Sequence, residues 1–268
     1  MRLVNALTVG MDSAVVVLAC MLTRPWGRRV PAWLLLAPTW LACGLLGPIL
    51  VGFPLQVAAN LLDPGGASSP DAPTFLQPWV FTVVYTGFGI QAVALGTLFV
   101  VHARRRWATL LRDGSVERRL SPTLPALRVS AVVAALVGSV PVVLQTAWAL
   151  GATVGLSQAI VDERSRDSLL ASAAFVPFAV AAVAGVLLLA FRPGGGLRLP
   201  LALAWTGSGT LTGWGAWWLF TSLGAGEPDA RPTATMSLVH AAELAAGLVV
   251  ATAVVHLLAE RAHALRSR

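Results

Sequence analysis

Apolar residues run along this chain in seven long stretches, at roughly 3–23, 31–58, 78–102, 129–153, 169–191, 199–223 and 237–259. Short segments between them carry nearly all the charge. A helix rises about 1.5 Å per residue and crosses the hydrocarbon of a bilayer with about 20 apolar residues. Each stretch meets that length. The pattern therefore predicts an all-α integral membrane protein: a bundle of seven transmembrane helices in one polytopic domain over 1–268. The second stretch is longer than a crossing needs, about 42 Å of straight helix for about 30 Å of hydrocarbon. Pro38, Pro48 and Pro54 interrupt it, with Gly47 and Gly52. A kinked or broken helix is the expectation there.

The connecting segments alternate in charge. Residues 24–30, 103–128, 192–198 and the tail after 259 hold fifteen Arg against Asp113, Glu117 and Glu260. The first two residues, 59–77, 154–168 and 224–236 hold four Arg against seven acids. Basic residues collect on the cytoplasmic side of membrane proteins. This bias places the N-terminus outside and the C-terminus in the cytoplasm, and it favours an odd span count. Tryptophans follow the same boundaries. Trp26, Trp33, Trp107 and Trp205 fall near the inner one, and Trp79, Trp148, Trp217 and Trp218 near the outer one, as in an aromatic belt. Trp40 and Trp214 lie deeper and are expected to pack between helices. Asp12 interrupts the first apolar stretch and an Arg-rich segment follows it, so a retained helix is expected there rather than a cleaved signal.

Composition agrees with the pattern. The chain is 56% hydrophobic and 12% charged, half the charge of an average soluble domain at about 25%. Its net charge of +7 would fit nucleic acid in a soluble protein. Here the arginines sit in one set of loops, so no nucleic-acid partner is expected. The partner is the lipid bilayer, with localisation in a bacterial-type plasma membrane. The basic 103–128 loop is a candidate contact for anionic lipid. All nineteen basic residues are Arg. A retinal Schiff base and a phosphate-binding Gly-Lys-Ser/Thr loop both need Lys, so neither is present. Cys20 and Cys43 both fall inside apolar stretches and read as small buried thiols.

Two acids lie within the spans. An ionisable residue in hydrocarbon is costly, which makes it a functional candidate. Asp12 is about ten residues into its span, about 15 Å deep. Glu243 lies in "SLVHAAELAAG" (237–247), about 9 Å from the outer boundary. Asn5, Thr8 and Asp12 share one helix face, and so do His240, Glu243 and Gly247. Were the first and seventh helices to touch, these stripes would line one outward-facing cleft. Asp12 and Glu243 would then carry a proton or cation, with His240 as relay.

Other chemistry is poorly supplied. HxxE gives two metal ligands, and a dimetal site needs more from other helices; no metal or cofactor is expected. Ser208 between two glycines resembles the serine motif of intramembrane rhomboid proteases. The Gly that this motif has two positions before the serine is Thr206 here, and His240 sits near the opposite end of its helix, out of hydrogen-bond reach. The glycines have a simpler reading. Gly209 and Gly213 form a small-xxx-small face, Gly247 permits close approach, and Thr82, Tyr85, Gly89, Ala92 and Gly96 make a similar stripe on the third helix. The sequence thus points to a membrane protein without an evident enzyme site, either a small permease or ion-coupled transporter or a non-catalytic membrane scaffold.

Overall fold

A computed structural model describes residues 2–63, 78–111, 122–192, 196–223 and 232–267, with the side chains of residues 2–8, 11, 12, 28 and 78 outside that description. The described residues form helices and no strand. Seven of the helices are long: α1 (Arg2–Thr23), α2 (Ala32–Leu62), α3 (Pro78–Arg106), α4 (Leu124–Ala149), α6 (Arg166–Phe191), α7 (Arg198–Ser222) and α8 (Ala234–Arg266). A five-residue α5 (Gln158–Asp162) and a 3₁₀ turn (Pro25–Arg29) complete the set. Among the described residues, five helices are long and apolar enough to cross a membrane: α2, α3, α4, α6 and α8. The described side chains of α1 make a shorter apolar run, Ser13–Thr23, and α7 falls outside the group. α7 does so because Gly, Ser and Thr dilute its apolar residues.

Yet α7 is the centre of the bundle. It packs on α6, α8 and α2, while α4 packs on α6 and α8. Every residue from Gly207 to Gly213 is buried. Lipid tails are as apolar as Leu, so helices in a bilayer associate through close packing and hydrogen bonds, and small residues mark their seams. Here the seams are closed by glycine. A Cβ at Gly209 would lie 2.6 Å from the Trp40 carbonyl oxygen, and one at Gly215 would lie 2.7 Å from the Leu244 nitrogen. Gly44, Gly185, Gly207 and Gly247 likewise abut the backbone of a neighbouring helix.

α2 differs from the expected broken helix. It runs unbroken through Pro38, Pro48 and Pro54. A proline frees the carbonyl four residues earlier, which in lipid needs another donor. For Pro48 that carbonyl belongs to Gly44, and the Thr210 hydroxyl donates to it at 3.0 Å. The glycine contact between Gly44 and Gly209 brings the hydroxyl into range.

Contacts fix the directions of the helices. Gly47 faces Phe178 and Gly52 faces Ala174; Gly185 faces Ala204 and Gly207 faces Ala182; Gly215 faces Leu244 and Gly247 faces Thr212; Gly138 faces Val183 while Arg128 reaches the Ala190 carbonyl. These pairings set α2, α4 and α7 antiparallel to α6 and α8. His102 near the end of α3 meets the Leu22 carbonyl near the end of α1. Two bundle ends result. At one, Arg106 donates to the Gly27 and Val30 carbonyls, Arg198 to Leu111 and Arg128 to Ala190. The other gathers 60–63, 149–166 and 232–234. There Arg166 pairs with Asp63 at 3.0 Å and donates to Asn60 at 2.6 Å. Arg164 donates to the carbonyls of Trp148, Gly151 and Ala152, closing the C-terminus of α4. Gly151 and Gly155 turn this loop with positive φ, and Thr233, the N-cap of α8, donates to the Gly155 carbonyl.

Candidate functional site

α8 begins at Ala234, three residues before the expected start, because the Thr233 hydroxyl accepts from the Met236 N–H at 3.1 Å. Glu243 therefore lies about 14 Å along the helix and His240 about 9 Å. Both are buried: Glu243 is 0% exposed and His240 8%. Gln145 Nε2 on α4 donates to Glu243 Oε1 at 3.1 Å. His240 Nδ1 stands 3.0 Å from Glu243 Oε2, so a protonated Nδ1 donates to the carboxylate. Trp218 on α7 stacks on the imidazole with ring centroids 5.9 Å apart. Both carboxylate oxygens are thus engaged, one by another helix and one within α8.

Glycine sets the depth of this seam. Gly215 brings α7 against His240 and Leu244. One turn further in, Gly247 faces Thr212 and the Ser208 carbonyl. Among the described residues, the buried Thr212 hydroxyl has no hydrogen-bond partner there. Ser208 accepts from Trp40 Nε1 at 3.0 Å and donates to the Trp205 carbonyl at 3.3 Å. His240, Glu243, Thr212 and Ser208 therefore follow one another from the 149–166 end towards the middle of α7. Ser208 is committed to Trp40 and Trp205, not to His240.

The remaining candidates fall elsewhere. Asn5, Thr8 and Asp12 lie on α1, and their side chains are outside the described residues. Among the described residues α1 packs on α3, α2 and the 3₁₀ turn, whereas α8 packs on α7, α4 and α6. The cleft expected between the first and last helices is thus not among the described packing seams. Gly209, Gly213 and Gly247 sit at helix contacts, Gly213 against Leu45 and Leu41. The glycines of the α3 stripe do not: a Cβ at Gly89 or Gly96 would meet nothing within 4 Å, although Tyr85 stacks on Phe53 and Ala92 packs against a buried leucine cluster. Small-residue spacing alone does not distinguish a filled seam from an open face.

Comparison with known proteins adds no relative. No family model, no curated protein and no solved structure matches the chain.

Two members of the cluster were not singled out from sequence. Gln145 is a lone amide in an apolar run, and that isolation was its signal. Trp218 was read only as part of an aromatic belt. Among the described residues, no group of three or more His, Cys, Asp or Glu could hold a metal ion. His102 faces the Leu22 carbonyl and His256 the Thr252 carbonyl. Chemically, the Glu243–His240 pair can move one proton across a single hydrogen bond with no change in net charge. It can also exchange a proton with the bundle end through His240, the shallower and more exposed partner.

Proposed function

We propose that this chain is a seven-span integral membrane protein of a bacterial-type plasma membrane, its N-terminus outside and its C-terminus cytoplasmic. Support comes from alternating helix directions and from the Arg-rich segments meeting at one bundle end, as basic residues do on the cytoplasmic side. Within it, the Glu243–His240–Gln145 cluster is the proton-binding site of a small permease or ion-coupled transporter. One observation carries this reading: a fully buried carboxylate bonded to a histidine and to an amide on another helix. Such a group is costly in hydrocarbon and is retained where it handles an ion. The buried Thr212 hydroxyl, inward of the cluster, supplies a next polar position. Asp12 is left out of this route, because α1 packs on α3 and α2 among the described residues and the Asp12 side chain lies outside them.

A second reading is a non-catalytic membrane scaffold in which the cluster only joins helices. The closeness of the α7–α8 seam at Gly215 and Gly247 favours it. Proteoliposomes separate the two. With a potassium diffusion potential and an internal pH dye, the transporter reading expects proton uptake by wild type and its loss in Glu243→Gln. Equal uptake in both proteins overturns the proton-site role, and no uptake in either supports the scaffold.

A further inference from the structure

An apolar groove of about 790 Å³ lies between α2 and α3, which pack on each other at the outside of the bundle. Ile49, Phe53 and Pro54 form one wall, and Gly89, Val93 and Leu98 belong to the other. From Tyr85 to Leu98 the groove follows α3 for about 20 Å. Its α3 positions recur three and four apart, as 86, 90, 93, 94, 97 and 98. Continued at the same spacing, that face reaches Val101 and then Arg104 and Arg105. Both arginines are exposed.

The neighbouring 3₁₀ turn adds charge at this end. Arg106 pins it to α3, donating to the Val30 carbonyl at 2.8 Å and the Gly27 carbonyl at 3.2 Å. Arg106 is thereby committed to the turn, while Arg24 and Arg29 stay exposed. Trp26 and Trp33 are also exposed, at 47% and 67%, on the side where amphipathic rings anchor in a headgroup layer. The apolar groove and Arg104 and Arg105 thus share one continuous face of α3, with Arg24 and Arg29 exposed at the neighbouring turn.

We infer that this face binds one anionic phospholipid, with an acyl chain in the α2–α3 groove and its phosphate at Arg104 and Arg105. Charge complementarity selects this occupant over a second copy of the chain. Copies in one membrane share an orientation, so a two-fold contact through α3 would set Arg104 and Arg105 against their own images. A phospholipid instead matches both halves of the surface, tail to groove and phosphate to guanidinium. The inference is independent of the proton site, which lies between α4, α7 and α8.

Native mass spectrometry of the detergent-solubilised full chain tests it, with added phosphatidylglycerol or phosphatidylcholine of identical chains. Wild type should retain phosphatidylglycerol in preference to phosphatidylcholine. Arg104→Gln with Arg105→Gln should weaken the phosphatidylglycerol adduct roughly 30-fold, from about 1 kcal/mol per arginine near an anionic surface, and leave phosphatidylcholine unchanged. Gly89→Phe, which fills open groove space, should lower both adducts. Equal retention of the two lipids by wild type overturns the inference. So does an unchanged preference in the double variant, or a dimer that forms without lipid and is lost in Gly89→Phe.

Discussion

The bundle has an inner part and an outer part that use the same residue types to opposite ends. Among α2, α4, α6, α7 and α8, glycines are contact points where an added Cβ would strike a neighbour's backbone or side chain. On α3, Gly87, Gly89 and Gly96 face open space. Only 6% of the apolar window of α3 is buried, against 50% for α8. The contrast shows that a glycine stripe has no fixed meaning in a membrane helix. It closes a seam where a neighbour is present and leaves a groove where none is.

Substitutions at the two kinds of glycine are the strongest way to break this comparison. Gly44→Val should be the most damaging, because its side chain would enter the Gly209 backbone and displace Thr210 from the Gly44 carbonyl. Overpacking costs about 1–3 kcal/mol, sometimes more, so thermal unfolding in detergent should show a clear loss. Glu243→Leu should come next. It deprives Gln145 and His240 each of a carboxylate oxygen in a buried seam, at about 1–3 kcal/mol for groups left unpaired. Glu243→Gln should cost less, since an amide still bonds to Gln145. Trp40→Phe removes one interhelical hydrogen bond, to Ser208; in membrane proteins such bonds average about 0.6 kcal/mol. Gly96→Leu should be smallest, within about 0.5 kcal/mol, as for surface changes elsewhere. If Gly96→Leu destabilised as much as Gly44→Val, the division into filled seams and open face would fail.

Much of the fold was legible because membrane helices announce themselves by length and hydropathy. All seven apolar stretches became long helices, most bounds lying within a few residues of expectation, while α4 starts at Leu124 rather than 129 and α8 runs on to Arg266 rather than 259. The exceptions have physical causes. α2 was expected to break at its prolines, and it stays whole because Thr210, some 160 residues away, bonds to a carbonyl that Pro48 frees. No local pattern encodes that partner. The site was legible in half. Buried charge in an apolar run singled out His240 and Glu243, but helix adjacency is not written in hydropathy. Asp12 was therefore expected as the partner; its side chain lies outside the described residues, and among those Gln145 and Trp218 meet the pair. Likewise Gly89 and Gly209 have similar surroundings in sequence, and only the bundle separates them.

The claim at the centre of this account is that Glu243 is the proton-exchanging group of the buried cluster. Infrared difference spectra of the membrane-reconstituted protein, recorded across a pH titration, read carboxyl protonation directly and need no knowledge of a substrate. The account predicts a protonated-carboxyl band in wild type that is absent in Glu243→Gln and shifted in Gln145→Leu, which removes its hydrogen bond. An identical set of carboxyl bands in wild type and Glu243→Gln would contradict it.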